Sequence, residues 1–299
     1  LADGEVIGHA AMTSTAIANQ GTEEADVIGG SPDDDQVYYG LGGNDSINTG
    51  GTRNTRDTVY GGDGDDAINS GSGDDHLYGD AGNDVIQAGD GNDEVYGGAG
   101  NDTLSADFNG SNSLEGGEGD DILRINRSTQ NKSGGKASYG VNTFVGGTGN
   151  DRLEGWTGAD TYIFNRGDGQ DVINDFDYGK AFGGYGESSG SLNKTDRIEL
   201  GVSIDKNQLW FSQQGNDLVI DVIGEDDQIR IESWYSGDRY RIEEIELSDG
   251  AMLIESQVEQ LVLAMASFDV QSSSSMDLQA AVDNELQIVI AESWQSPQV

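Results

Sequence analysis

Residues 61–105 read GGDGDDAIN, SGSGDDHLY, GDAGNDVIQ, AGDGNDEVY and GGAGNDTLS, five tandem copies of one nine-residue unit. The unit recurs as GGEGDDILR at 116–124 and GGTGNDRLE at 146–154, more loosely as GWTGADTYI at 155–163, and upstream with one substitution as GLGGNDSIN at 40–48. Residues 49–60 keep it only around Asp57 and Val59, and 106–115 keep Leu114 but carry Asn112 where the other copies have Asp. The template is G-G-x-G-(N/D)-D-x-U-x, with U apolar: Ile47, Val59, Ile68, Leu77, Ile86, Val95, Leu104, Leu123 and Leu153. A sustained internal period outranks local propensity in deciding a fold.

Each place in the unit has a physical reason. Glycine at the first, second and fourth places permits positive φ and close backbone approach, as a tight turn requires. The closing x-U-x is a short strand that sends one side chain inward and its neighbours outward. Two units make turn, strand, turn, strand, one coil of a solenoid whose coils stack at the inter-strand spacing of about 4.8 Å. The expected fold is all-β: a parallel β-roll, a right-handed β-solenoid of nonapeptide repeats, with a β-rich C-terminal cap and one or two short C-terminal helices.

Composition sets the condition for that fold. The chain has 299 residues, 55 Asp and Glu against 15 Lys and Arg, a formal charge of −40, 46 Gly, 2 Pro and no Cys. So acidic a surface has no footprint for nucleic acid and is repelled by anionic membranes. Without cysteine there are no disulfides and no thiolate metal sites. No apolar run is long enough to span a membrane, and the start shows no signal-peptide pattern; Leu1 in place of Met suggests a fragment of a longer chain.

Low hydrophobicity with high net charge is the signature of disorder unless something neutralises the carboxylates. One buried apolar side chain per nine residues falls well short of the entropy of ordering nine backbones. Stacking also places sixth-place aspartates above one another, which costs about 1 kcal/mol per pair in water and more in a lower dielectric. A cation is needed. Carboxylates and turn carbonyls in flexible loops are hard oxygen ligands, which select Ca²⁺ over softer metals and suit it better than Mg²⁺. The expected cofactor is several Ca²⁺ ions, in a column along each side of the roll.

With tandem GGxGND turns on the page, the chain resembles the RTX (repeats-in-toxin) family, whose nonapeptide is associated with Ca²⁺ binding. The resemblance covers roughly 26–254. It implies that the ligands are the sixth-place aspartates, Asp66, Asp75, Asp84, Asp93, Asp102, Asp121, Asp151 and Asp160, with Asp45 and Asp57 in less regular turns. It adds the second- and fourth-place carbonyls of Gly62, Gly64, Gly71, Gly73, Asp80, Gly82, Gly89, Gly91, Gly98, Gly100, Gly117, Gly119, Gly147, Gly149, Trp156 and Gly158. Asp80 and Trp156 replace glycine, which a carbonyl ligand tolerates.

Outward from the repeats, 1–25 reads as a linker or N-terminal cap, 26–124 as a first β-roll and 142–177 as a second. The intervening 125–141 breaks the period and, with Arg124 beside it, holds Arg127, Lys132 and Lys136; it is either a solvated loop or a site for an anionic partner. The Gly- and Tyr-rich 178–195 either covers the solenoid or presents aromatics to a ligand. From 196 to 254 strict alternation replaces the nonapeptide, as in DRIEL, NQLWFSQQGNDLVIDVIG and DDQIRIESWY. This flank can stop the stack, since a bare terminal coil is an open sheet edge. Trp210, Phe211, Trp234 and Tyr235 are either its apolar contacts or ligand-binding aromatics. Residues 255–268 have helical spacing of Val258, Leu261, Val262 and Met265. Residues 269–299 form a tail with a second amphipathic stretch, Leu278, Ala281, Val282 and Leu286. The resemblance makes this tail a type I secretion signal; an ordinary C-terminal helix is the alternative.

Catalytic patterns are not expected. There are two histidines, His9 and His76, and no H-E-x-x-H, and the abundant carboxylates fall in cation turns. The chain reads as a non-catalytic, secreted or cell-surface module of a bacterial toxin or adhesin. Its expected partners are the type I secretion machinery (ABC transporter, membrane-fusion protein, outer-membrane channel) and, in the rival reading, a host-surface glycan or protein held by the inserted loops.

Overall fold

The structure, a computed structural model, describes residues 19–30, 34–50, 55–126, 140–156, 158–177, 195–267 and 284–295. Most of the segments 125–141 and 178–195, residues 1–18 and most of the tail therefore lie outside the described residues.

Two sheets face each other across the core. The 10-stranded sheet takes, in spatial order, Val37–Gly42, Thr58–Asp63, His76–Ala81, Glu94–Ala99, Ser113–Glu118, Thr143–Thr148, Thr161–Phe164, Arg197–Leu200, Glu244–Leu247 and Met252–Ile254. The 11-stranded sheet takes Val27–Gly29, Ser46–Asn48, Ala67–Asn69, Val85–Gln87, Thr103–Asp107, Ile122–Asn126, Arg152–Glu154, Gln170–Ile173, Gln228–Ile231, Asp217–Val222 and Leu209–Gln214. Neighbours pair in parallel at the two-repeat offset, Val59 against Leu77 and Leu77 against Val95. This is a parallel β-roll.

The insertions leave the stack without breaking it. Leu114 pairs with Phe144 and Leu123 with Leu153, so residues before and after 127–139 occupy adjacent strands of one stack. Tyr162 likewise pairs with Ile198, and Ile198 with Ile245, which carries the parallel arrangement into the C-terminal flank. Only then does pairing turn antiparallel, through Leu209–Gln214 with Asp217–Val222 and Glu244–Leu247 with Met252–Ile254.

The two halves of a coil are unlike. Strands of the 11-stranded sheet between residues 46 and 87 are three residues long with only the U side chain buried. Those of the other sheet from Thr58 to Ala99 are six residues long and also turn the next first-place glycine inward: Gly61, Gly79 and Gly97 are buried. The reason is local. A Cβ on Gly61, Gly79 or Gly97 would run into Oδ2 of Asp66, Asp84 or Asp102 in the same turn. The carboxylate folds back over its own first glycine.

Towards the C-terminus this changes. The position of Gly146 in the next strands is held by Phe164, Leu200 and Leu247, all buried. The single apolar row thickens into an ordinary core with Phe211, Ile220, Ile229, Ile231, Trp234 and Leu253. Helix α1 (Glu255–Ala266) buries Val258, Leu261, Val262 and Met265. The backbone N–H of Phe211 donates to Met265 Sδ at 3.0 Å. Helix α2 (Asn284–Ser293) follows, with Leu286, Ile290 and Trp294 buried. Met252 and Gln295 exchange backbone hydrogen bonds, which covers the last strand's edge. Phe211 and Trp234 are fully buried while Trp210 and Tyr235 are partly buried against the core. On the outer face of the 10-stranded sheet, Tyr39, Tyr60, Tyr78 and Tyr96 stack with ring centroids 4.9–5.1 Å apart.

Candidate metal centres

The turns stack in two columns, one at each edge of the roll. Asp45, Asp66, Asp84, Asp102, Asp121 and Asp151 fall in one, the Asp66 column; Asp57, Asp75, Asp93 and Asp160 fall in the other, the Asp75 column. All ten are buried, none more than 3% exposed. In each column the backbone N–H of one sixth-place residue donates to Oδ1 of the next coil's. Asp66 donates to Asp84, Asp84 to Asp102 and Asp102 to Asp121, at 2.7–2.8 Å. In the Asp75 column, Asp57 donates to Asp75 and Asp75 to Asp93.

The fifth place has a role of its own. Its Asn or Asp makes an outer ladder running the opposite way, with the later coil donating to the earlier: Asn83 N–H to Asp65 Oδ1, Asn101 to Asn83, Asp120 to Asn101 and Asn150 to Asp120.

The second carboxylate oxygen is the unsatisfied one. Oδ2 of Asp45, Asp66, Asp75, Asp84, Asp93, Asp102, Asp121 and Asp151 is buried and accepts no hydrogen bond from the protein. Burial raises these carboxyl groups against the opposing backbone N–H bond: Asp66 and Asp151 to about 6, and Asp84, Asp93 and Asp121 to about 7. A buried, unpartnered carboxylate is costly in the absence of a counter-charge.

Carbonyl oxygens converge on the same edges. Gly62, Gly64, Gly71, Gly73, Gly82, Gly89, Gly91, Gly98, Gly100, Gly117, Gly119, Gly147 and Gly149 take positive φ, as does Asp80 at +72°. Their stacking is so close that a Cβ on Gly82 or Gly100 would overlap the carbonyl oxygen of Gly64 or Gly82 one coil earlier. Stacked carbonyls with unpartnered carboxylate oxygens are the donor set of a hard cation, so these residues fit Ca²⁺. Trp156 and Gly158 flank residue 157, which lies outside the described residues.

Three features go beyond the sequence reading, which took 142–177 as β-roll but assigned no ligand after Asp160. RGDGQDVIN at 166–174 is a further full unit: Asp151 N–H donates to Asp171 Oδ1, Gly167 and Gly169 take positive φ, and burial pushes Asp171 up to about 8. Its second- and fourth-place glycines and sixth-place Asp were the available signal. Asp227 of the flank accepts the N–H groups of Gly167 and Gly169, closing that turn. Carboxylate oxygens of Asp160, Asp175 and Asp196, all buried, lie within 4.8 Å of one another, and Tyr162 donates to Asp175 at 3.0 Å. Asp175 and Asp196 lie in no recognisable unit, so only the fold unites the three.

Fold and site together define a calcium-binding β-roll. The RTX calcium-binding nonapeptide repeat matches in four copies, at 39–77, 70–104, 108–124 and 137–173, and the haemolysin-type calcium binding protein related domain matches at 217–257. The chain belongs to the RTX family. It is similar to the iron-regulated protein FrpA of Neisseria meningitidis serogroup C, with 35% identity over 105 residues. That match covers 34% of this chain and only 8% of the relative's length.

Proposed function

We propose that this chain is a calcium-gated folding module that assists export of a larger secreted protein, a toxin or an adhesin. The observation that carries the reading is the row of buried aspartates whose Oδ2 atoms receive no hydrogen bond. Ca²⁺ supplies the positive charge those oxygens need. Where it is scarce the aspartates repel one another and the repeats stay extended, a form suited to threading the type I machinery of ABC transporter, membrane-fusion protein and outer-membrane channel. Outside, where extracellular modules bind Ca²⁺ at roughly 10⁻⁴ to 10⁻³ M, the turns close and stacking begins. The C-terminal flank has a conventional apolar core and gives the first coil something to stack on. No helix among the described residues is long and apolar enough to cross a membrane.

The test is a Ca²⁺ titration of chelated protein followed by far-UV circular dichroism and tryptophan fluorescence. The expected result is a cooperative gain of β structure below or near millimolar Ca²⁺ that Mg²⁺ does not reproduce. A chain already folded in chelator at about pH 8, where the buried carboxylates would be charged, would overturn the reading.

A further inference from the structure

The two columns differ in one respect that bears on where calcium goes. The Asp66 column is carboxylate throughout: Asp26, Asp45, Asp66, Asp84, Asp102, Asp121, Asp151 and Asp171 are joined N–H to Oδ1 without interruption. The Asp75 column runs Asp57, Asp75, Asp93 and then Asn112 and Asn142 before Asp160. Asn142 is the sixth-place residue that follows the insertion.

Both asparagines are 2% exposed and both keep the backbone-to-Oδ1 bond. What changes is the second side-chain atom. Where an aspartate presents an unpartnered Oδ2, each asparagine presents an NH₂, and that NH₂ is already bonded. Asn112 Nδ2 donates to Asn142 Oδ1 at 3.1 Å and to the Asp107 carbonyl at 3.2 Å; Asn142 Nδ2 donates to Asp160 Oδ1 at 2.8 Å. Asn142 Oδ1 accepts from both N and Nδ2 of Asn112, which commits the oxygen that could have met a cation. An amide nitrogen has no lone pair to offer a cation, and its hydrogens repel one. The second place of this turn is also Phe108 instead of glycine.

We propose that the calcium rows on the two edges of the roll are unequal: the Asn112–Asn142 step takes no ion and joins its coils by amide hydrogen bonds, while the same level of the opposite edge, Asp121–Asp151, takes one. Neutral side chains remove the repulsion that an ion would otherwise offset, so this step is the one place in the columns where coils join without metal. The inference rests on the calcium-roll reading above.

Bound Ca²⁺ per chain, measured by equilibrium dialysis and elemental analysis at saturating free Ca²⁺, decides it. The double variant Asn112→Asp/Asn142→Asp is expected to hold at least one ion more than the native chain. The converse variant, Asp75→Asn/Asp93→Asn, is expected to hold at least one fewer while keeping its calcium-loaded circular dichroism. An unchanged count in a folded form of either variant would overturn the inference. Should the first fail to fold, the second alone decides. A native chain that binds no Ca²⁺ would sink the calcium-roll reading itself, a distinct outcome.

Discussion

The backbone N–H of Asp84 donates to Oδ1 of Asp102 at 2.7 Å, across one full coil and inside a column where both side chains are 1% exposed. One oxygen of Asp102 thus holds the stack together and the other is left for a cation. The two tasks can be separated by substitution. Asp102→Asn keeps an oxygen for the Asp84 N–H and removes the charge; Asp102→Ala removes both. The Asn variant is expected to need severalfold more Ca²⁺ to fold. The Ala variant should need more still, because it leaves a buried N–H without its charge-assisted bond, a loss of roughly 1.5–3 kcal/mol. Folding midpoints from Ca²⁺ titration check this; equal midpoints for native and Asn chains would refute the division of labour.

Acid should partly substitute for metal. Burial raises Asp84, Asp93 and Asp121 to about 7 and Asp171 to about 8, from the ordinary 3.8. Between about pH 4 and pH 8 the metal-free fold therefore binds more protons than the unfolded chain. Its stability falls as pH rises through that window and returns as pH is lowered, with no further gain once both states are protonated below about pH 4. In chelator, β structure is expected to increase from about pH 8 to about pH 5. Over the same interval the Ca²⁺ needed for half-folding should fall, because protonation already favours the fold, while fewer ions are bound, since protons compete for the ligands. A metal-free spectrum that does not change with pH would contradict the burial argument.

First-place glycines should be irreplaceable where a carboxylate folds over them. In Gly79→Ala the new methyl meets Asp84 Oδ2 and the Gly97 carbonyl, so the carboxylate must move off its position. Gly29, an exposed ninth-place residue, is the control: in Gly29→Ala the methyl meets nothing within 4 Å. The expectation is a raised Ca²⁺ requirement for the first and a near-native titration for the second, compared under identical conditions.

Removing everything after residue 195 should prevent folding at Ca²⁺ concentrations that fold the full chain. It strips the 10-stranded sheet of Arg197–Leu200, uncovers Tyr162 and Phe164, and deletes Glu232, which accepts from Arg152 at 3.0 Å and Asn174 at 2.6 Å. It also deletes Asp227 from the last turn. A truncated chain that folds at the native midpoint would show that the flank is dispensable.

Much of this was legible in the residues because the nonapeptide is a physical statement. Sixth-place aspartates, positive-φ glycines and inward U side chains each have one place in a coil. The unit at 166–174 fell inside the second β-roll read at 142–177 but was given no ligand, since Arg166 stands where the template has glycine. The fifth-place ladder was visible as an Asn/Asp preference whose cause appears only when coils are stacked. Asn142 could not be read as a column member, because the inserted residues put it 30 positions from Asn112 instead of the regular 18. The meeting of Asp160, Asp175 and Asp196 depends on where the chain returns after 178–194, which no local pattern encodes.

Near-identical repeats invite a chain to fold out of phase, and the unlike halves of the coil limit that error. The six-residue strands accept only a turn that begins with glycine, as at Gly61, Gly79, Gly97, Gly116 and Gly146, because the carboxylate occupies the space a side chain would fill. The alternate turns begin with Ser70, Ala88 and Asp107. A slip by one nonapeptide would drive those side chains into the carboxylates along the whole edge at once, whereas a slip by two would cost nothing locally. The sequence looks periodic at nine residues but proofreads at eighteen, so a chain folding coil by coil has half as many wrong phases open to it.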